Sequence, residues 1–142
     1  MNDALVPPFD TKLAVLVRDD LQSWQRLNVT AFLMSGVTAA NPQLVGDPYV
    51  DADGQAYLAL LGLPVLVFEG SVADLTAARE RALRRGLPLA VYTRDMFATG
   101  HDAANRAAVA AVSGVDLDLV GVALHGPKNA VDKIVKGAHL HP

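Results

Sequence analysis

The fold is decided by residues 12–37, KLAVLVRDDLQSWQRLNVTAFLMSGV, in which a buried strand leads into a charged corner and then into a helix. Residues 13–17 form a continuous apolar run rich in β-branched side chains, which is typical of a strand covered on both faces. The corner Arg18-Asp19-Asp20 predicts a helix whose N-cap is Asp20. The predicted apolar positions of this helix recur at steps of three and four: Trp24, Leu27, Ala31 and Met34.

The composition indicates one α/β domain spanning residues 1–142. Hydrophobic residues make up 51% of the chain and charged residues 19%, an apolar excess that suits a sheet covered by helices. The sequence has no cysteine, which excludes disulfides, thiol nucleophiles and cysteine-ligated metals. The apolar excess also allows a homodimer, whose interface the sequence does not identify.

The N-terminal residues and the net charge indicate where the protein is located and which partners it can bind. Residues 1–10, MNDALVPPFD, lack the basic region and the apolar core of a signal peptide, and no apolar run reaches the length of a membrane span. We therefore expect a cytoplasmic protein with no membrane partner. The net charge of −3 disfavours nucleic acid as a partner and leaves tRNA as an open case that would need a local basic patch.

The rest of the chain alternates strands with helices. Strands are predicted at residues 64–68, 87–92 and 117–124, and helices at residues 72–85, 102–112 and 128–136. Ser71 and Asp74 form a capping box for the second helix, and Gly86 stands at its C-terminal end. This alternation predicts a three-layer α/β/α domain with about four strands.

Residues 49–57 are predicted to form two short strands around Asp53-Gly54. The string D-A-D-G within them resembles the start of a calcium loop, but the alternating oxygen ligands and the distal glutamate of an EF-hand are missing. We interpret it as a turn.

Polar residues follow two of the predicted strands, where ligands usually bind in open α/β sheets. One group is Arg18-Asp19-Asp20 and the other runs from Thr93-Arg94-Asp95 to Thr99 and His101. An aspartate beside an arginine stays ionised and can orient a water, and a threonine one turn away can donate to an oxyanion. The alternative is that these residues only cap strand ends and pair with one another.

Histidines and arginines give weaker signals. His139 and His141 are spaced to share one face of an extended segment and, with His101 or an aspartate as a third ligand, would make a zinc site. The alternative is that they belong to a solvated tail. We predict neither a metal nor a cofactor. His101 is expected near a helix N-terminus, with Asn105 on the same face. The basic residues Arg79, Arg81, Arg84 and Arg85 suit either a helix C-terminus or an RNA phosphate contact.

The opening strand and the tail resemble those of type 2 peptidyl-tRNA hydrolases. That family carries a V-R-x-D-L string where this chain has residues 17–21, and its closing strand, Gly-Pro turn and last helix are similar to LVGVALHGPKNAVDKIVKGAHL. Asp95 and Thr99 stand at the D-x-x-x-T spacing of two residues implicated in that family's catalysis. The resemblance implies a mixed, mostly parallel sheet of about four strands between helices.

One departure from that family concerns the first helix. The hydrolases have a Gly-Lys pair there, and this chain has Leu27-Asn28, so the implicated lysine is absent. The strings WQRLNVTAFL, PYVDADGQAY and FATGHDAAN look more like those of an uncharacterised bacterial family of unknown function that shares the hydrolase fold. An asparagine offers a hydrogen bond but no positive charge to a developing oxyanion.

The sequence leaves two functions open. One is hydrolysis of an ester or amide on a small or nucleotide-linked substrate, in which Asp95 orients water and Asn28 or Thr99 polarises the carbonyl. The other is a non-catalytic module that binds a metabolite or assembles with a partner. Either would use one polar cleft built from Arg18, Asp20, Asn28, Thr30, Asp95, Thr99, His101 and Asn105.

Overall fold

The computed structural model describes residues 10–141 as a mixed α/β arrangement of seven strands and four α-helices. In chain order the elements are β1 (Thr11–Arg18), α1 (Ser23–Ala40), β2 (Tyr49–Val50), β3 (Ala56–Tyr57), β4 (Val65–Gly70), α2 (Val72–Arg84), β5 (Ala90–Thr93), α3 (Asp102–Ala110), β6 (Leu119–Pro127), α4 (Lys128–Ile134) and β7 (His139–Leu140). No helix within residues 10–141 is long and apolar enough to cross a membrane.

The main sheet has five strands in the order β5-β6-β1-β4-β7, so the expected mixed sheet is confirmed. The expectation of about four mostly parallel strands is wrong. Only β1 and β4 run parallel, whereas β1 with β6, β5 with β6 and β4 with β7 are antiparallel. An apolar run shows that a strand is buried on both faces but not its direction, and β7 was too short to show a pattern.

Strand β1 lies at the centre of this sheet, and helices pack on both of its faces. Leu13, Val15 and Val17 belong to a core cluster that includes α1. Ala14 and Leu16 belong to a second cluster with α2 and α4. The alternation of β1 side chains thus joins the two layers of helices.

Helix α1 begins later than predicted, and its N-cap is Gln22 rather than Asp20. The backbone N–H of Gln22 donates to the side chain of Gln25 at 2.9 Å, which closes a capping box. The carboxylate of Asp20 instead accepts hydrogen bonds from Arg18. Asp20 is therefore engaged with the strand that precedes it and does not cap the helix.

The buried face of α1 also differs from the predicted one. It consists of Val29, Leu33 and Val37. Of the predicted stripe, Trp24 and Leu27 are 55% and 73% exposed, Ala31 is also exposed, and Met34 is partly buried. Helix α1 carries two apolar stripes, and helical spacing alone does not indicate which of them meets the sheet.

Helix α2 and the hairpin β2–β3 form where the sequence predicts them. The N–H of Asp74 donates to the Ser71 hydroxyl at 3.2 Å, the N–H of Ser71 donates to the Asp74 carboxylate at 2.8 Å, and Gly86 adopts a φ of 69°. In the hairpin turn, Asp51 accepts hydrogen bonds from the N–H groups of Asp53 and Gln55. The D-A-D-G string is therefore a turn stabilised by its own first carboxylate.

Candidate functional site

Four charged residues form an arginine–aspartate cluster at the end of β1, namely Arg18, Asp20, Arg94 and Asp118. Arg18, only 6% exposed, donates from Nε and Nη2 to Asp20 at 3.1 and 3.0 Å and from Nη1 to Asp118 at 2.8 Å. Its Nη1 also donates to the carbonyl of Leu119 at 3.0 Å. Arg94 approaches the same two carboxylates from outside, at 3.3 and 3.4 Å.

The contacts within this cluster favour the ionised forms of Asp20 and Arg18. Hydrogen bonding from Arg18 holds the pKa of the Asp20 carboxyl below its ordinary value, and the two carboxylates raise the pKa of Arg18. Every nitrogen of the Arg18 guanidinium already donates to a protein acceptor. The arrangement joins β1 to the start of β6 and leaves Arg18 little capacity to bind a ligand.

A second ion pair fixes the corner between β1 and α1. Arg26 donates from Nη1 to Glu69 at 2.8 Å, and its other nitrogens donate to the carbonyls of Asp19 and Leu21 at 2.9 and 3.1 Å. Glu69 is 6% exposed at the end of β4. Neither residue was singled out from the sequence, because their partners lie far apart along the chain.

A cleft of about 880 Å³ lies between α1, β5 and α3. The residues that line it are Trp24, Asn28, Phe32, Leu33, Ser35, Gly36, Ala90, Val91, Tyr92, Met96, Phe97, Thr99, Gly100, His101, Asp102, Asn105, Arg106, Val109 and Ala110. Its volume lies in the range of small-molecule sites, and it combines a mainly apolar wall with a few polar groups.

Four aromatic side chains form one wall of the cleft. The ring centroids of Trp24 and Phe97 are 5.8 Å apart, those of Phe97 and Tyr92 are 5.2 Å apart, and those of Tyr92 and Phe32 are 6.0 Å apart. Burial raises the pKa of Tyr92, whose side chain is 5% exposed. These rings offer flat apolar surface on which a planar molecule can pack.

Two polar groups of the cleft have no partner in the part of the chain that the structure describes. The Asn28 side-chain amide and the Tyr92 hydroxyl make no hydrogen bond with residues 10–141, although both residues line the cleft. Asn28 has one acceptor and two donors available, and the Tyr92 hydroxyl can donate or accept. As far as residues 10–141 are concerned, both groups are available to a ligand.

The other polar side chains of the cleft are engaged with one another or with the backbone. The Thr99 hydroxyl donates to the carbonyl of Met96 at 2.9 Å and lies against the side-chain amide of Asn105. His101 is the N-cap of α3, since its Nδ1 accepts from the N–H of Ala104 at 3.3 Å. With Nδ1 as an acceptor, the neutral imidazole carries its proton on Nε2 and offers a donor.

The structure brings together four of the eight predicted site residues. Asn28, Thr99, His101 and Asn105 line the cleft. Arg18 and Asp20 belong to the arginine–aspartate cluster. Thr30 and Asp95 are not among the lining residues, and Asp95 is exposed in the first turn of the short 3-10 helix Arg94–Ala98.

The residues expected to form a single polar cleft therefore lie in two separate places. The charged residues at the end of β1 bind one another, and the site that remains open is mainly aromatic. The sequence held one signal of this, since Trp24, Asn28 and Phe32 recur at steps of four and so share a helix face. The predicted stripe instead groups Trp24 with Leu27, on a different side of the helix from Asn28 and Phe32.

His139 and Arg81, both outside the cleft, have structural contacts. His139 pairs with Glu69 across β7 and β4, so this part of the tail is an edge strand, and no group of three metal-ligating side chains occurs within residues 10–141. Arg81 donates from Nη1 to the carbonyls of Ile134 and Lys136 at 3.3 and 2.9 Å. Of the four arginines in the basic run, Arg81 is thus engaged with the end of α4.

The comparisons with known proteins place the chain among proteins of unknown function. A protein of unknown function from Agrobacterium tumefaciens strain C58 has a similar solved structure, with a TM-score of 0.93 and 46% sequence identity over 95% of this chain and 100% of that one. No curated protein matches the chain. The family model described as protein of unknown function (DUF2000) matches residues 11–142. The chain therefore belongs to the DUF2000 family.

Proposed function

We propose that this protein binds a neutral, flat heteroaromatic molecule, such as a nucleobase or nucleoside, in the cleft between α1, β5 and α3. The single observation that carries the proposal is the pairing of an aromatic wall with two polar groups, Asn28 and Tyr92, that have no partner within residues 10–141. Aromatic side chains stack on bases, and an amide can hydrogen-bond to a base edge.

The charges around the cleft favour an uncharged ligand. Its charged lining residues, Asp102 and Arg106, form an ion pair with each other on α3. An ionised ligand group in the aromatic part of the cleft would lose hydration without gaining a free counter-ion. A neutral ring system with both donors and acceptors matches the groups that Asn28 and Tyr92 offer.

The polar groups support binding better than they support base catalysis. Because Nδ1 of His101 accepts from Ala104, this imidazole acts as a donor in the cleft. The one carboxylate that lines the cleft, Asp102, is paired with Arg106. A general base needs an acceptor within hydrogen-bond reach of the proton it removes, and this lining supplies no unpaired carboxylate.

Thermal denaturation against a panel of nucleosides, nucleobases and aromatic amides tests the proposal. A ligand present at a hundred times its dissociation constant should add about 2.7 kcal/mol to the free energy of unfolding. The matched variants are Asn28→Ala in the cleft and Ser113→Ala outside it. A stabilising compound whose effect is reduced by the first and kept by the second supports the proposal, and a panel without any stabilising compound contradicts it.

Hydrolysis of an ester or amide is the second candidate, on a fold like that of type 2 peptidyl-tRNA hydrolases. It is favoured by the position of Asn28 and Thr99 in one cleft, since these were the two groups expected to polarise a carbonyl. The Thr99 hydroxyl already donates to Met96, so Asn28 is the donor that remains available. Asp95 would have to act from outside the cleft.

Release of N-blocked aminoacyl groups from tRNA tests the second candidate. Turnover that falls by orders of magnitude in both Asn28→Ala and Asp95→Asn would support hydrolysis with the predicted roles. Turnover that is indifferent to Asp95→Asn would remove Asp95 from the mechanism. Absence of turnover with a compound that binds in the cleft would favour the binding function.

A further inference from the structure

A smaller cavity of about 300 Å³ adjoins the ligand cleft where the last turn of α1 passes the residues that precede β5. Gly36 and Ala90 line both spaces, so the cleft and the cavity meet at these two small residues. The cavity is about ten times the ~30 Å³ that one water occupies in the liquid, so it has room for several non-hydrogen atoms. Its apolar lining consists of Gly36, Val37, Ala40, Pro88, Leu89 and Ala90.

The polar residues of this cavity are His125 and Asn41. His125 lies on the face of β6 that is turned toward α1, because side chains alternate along a strand and a Cβ at Gly121, four residues earlier, would meet Val29 and Leu33 of α1. Neither ring nitrogen of His125 hydrogen-bonds to residues 10–141, and Nε2 is buried. This imidazole is therefore available to a group bound in the cavity.

The burial of Nε2 decides which nitrogen of the neutral His125 ring carries the proton. A buried N–H group without an acceptor is rarer in proteins than a buried acceptor without a donor. The proton therefore belongs on Nδ1, which is not buried in the way that Nε2 is. His125 thus offers a hydrogen-bond donor.

Asn41 supplies the complementary group. Its Nδ2 donates to the carbonyl of Val37 at 2.8 Å, which fixes the orientation of the side-chain amide. Its Oδ1 accepts no hydrogen bond from residues 10–141. The cavity therefore combines an apolar lining with one donor and one acceptor.

We propose that this cavity binds the hydroxyl end of a short, uncharged side arm carried by the molecule in the cleft, an inference that rests on the proposed function. A hydroxyl oxygen accepts a hydrogen bond from Nδ1 of His125 while its proton is donated to Oδ1 of Asn41. No aspartate, glutamate, lysine or arginine within residues 10–141 lines the cavity. An ionised group there would lose hydration without gaining a counter-ion.

Helix α1 sets the length of this side arm. Phe32 of the cleft, Gly36 at the junction and Asn41 of the cavity follow one another along the helix and its C-cap. At 1.5 Å per residue, Asn41 lies roughly 14 Å beyond Phe32. A flat ring beside Phe32 covers about half of this distance, so a side arm of about five carbon atoms reaches Asn41. The ligand class is therefore a heteroaromatic ring with a hydroxyalkyl substituent.

Titration of ¹⁵N-labelled protein with pentan-1-ol, followed by NMR, tests the cavity without a ring in the cleft. We expect saturable shifts of the Ala40 and Leu89 amide signals and of the His125 ring nitrogens. Its isomer 1-methoxybutane, which has the oxygen but no hydroxyl proton, should bind more weakly because Asn41 then lacks a donor. The nitrogen shifts of His125 also report the tautomer, and a proton on Nε2 would contradict the assigned donor.

Two variants make this titration specific. Ala40→Phe fills the cavity and should abolish the shifts, whereas His139→Phe on the exposed strand β7 should retain them. Absence of saturable shifts in the wild type, or shifts that persist in Ala40→Phe, overturns the cavity as a binding site. Equal binding of pentan-1-ol and 1-methoxybutane removes Asn41 as the acceptor.

Calorimetric titration with adenine, 9-pentyladenine and 9-(5-hydroxypentyl)adenine tests whether the cleft and the cavity hold one ligand. We expect the hydroxypentyl compound to bind about tenfold more tightly than the pentyl compound, the effect of one hydrogen bond. This advantage should vanish in His125→Phe and persist in His139→Phe. Adenine that binds without any gain from the hydroxyl keeps the proposed function and overturns the side arm, as does a gain that His125→Phe retains. Failure of all three compounds to bind contradicts both proposals.

Discussion

Nη1 of Arg18 lies 2.8 Å from the carboxylate of Asp118, a residue one hundred positions further along the chain. This contact joins the end of β1 to the residue that precedes β6, the antiparallel neighbour of β1. Together with the bonds from Arg18 to Asp20 and to the Leu119 carbonyl, this contact fixes the C-terminal end of β1, where the sequence predicts part of a binding site. Arg18 therefore ties the end of β1 to the start of β6.

Replacing Arg18 should destabilise the protein. In Arg18→Met the carboxylates of Asp20 and Asp118 lose their buried partner, and the Leu119 carbonyl loses a donor. We expect a loss of about 2–3 kcal/mol, at or below the lower limit of the ~3–5 kcal/mol for a broken buried pair, because both carboxylates are half exposed. Urea unfolding measures it, and Arg84→Met, at an exposed position of α2, should stay within about 0.5 kcal/mol of the wild type.

Asp20 should make the stability depend on acid pH. Its pKa is lower in the folded protein than its ordinary value of 3.8, so its contribution is present above that value and is lost as the pH falls through the folded pKa. The wild type should lose more stability than Asp20→Asn when the pH is lowered from neutral to below 4. Melting temperatures across this range provide the comparison, and equal slopes for the two proteins would refute the role of Asp20.

Gly121 should tolerate no side chain. It lies in β6 directly under α1, where a Cβ would come within 2.4 Å of Val29 Cγ1 and 2.9 Å of Leu33 Cδ1. Such overpacking typically costs 1–3 kcal/mol, so we expect Gly121→Ala to be about 2 kcal/mol less stable than the wild type. Gly100→Ala is the control, because a Cβ there would meet no atom within 4 Å. Equal chemical denaturation midpoints for the two variants would show that α1 does not pack closely on β6.

Tyr92→Phe should separate binding from stability. The hydroxyl has no partner within residues 10–141, so its removal should change the free energy of unfolding by less than about 0.5 kcal/mol. A ligand that hydrogen-bonds to this hydroxyl should bind about tenfold more weakly, the effect of one lost bond. Calorimetric titration with a compound from the thermal panel measures the affinity, and full affinity in Tyr92→Phe would place the ligand elsewhere.

Much of the fold could be predicted from local signals in the sequence. The run at residues 13–17 showed a strand buried on both faces, and Ser71, Asp74 and Gly86 marked both ends of α2. The buried face of α1 could not be predicted, since Leu27 and Val29 are equally apolar and only tertiary packing distinguishes them. The direction of β6 was equally hidden, because a fully buried strand has the same pattern in either orientation.

The candidate site was predicted only in part, for a related reason. The sequence singled out Thr99, His101 and Asn105 near a strand end and a helix start, and Asn28 as a polar interruption of the first helix where the resembling hydrolases have a lysine. The structure brings these four residues together. It did not reveal that Asp118 would pair with Arg18, or that Phe97 would contact both Trp24 and Tyr92. Such contacts join distant parts of the chain, and local spacing carries no information about them.

The fluorescence of Trp24 tests the central claim most directly, because it is the only tryptophan of the chain and it lines the cleft. A compound that stabilises the protein should change this emission in a saturable way. Its affinity should fall about tenfold in Asn28→Ala, from the loss of one hydrogen bond, and should not change in Asp95→Asn. A stabilising compound that leaves the Trp24 emission unchanged, or that binds Asn28→Ala as tightly as the wild type, would contradict the assignment of the cleft as the ligand site.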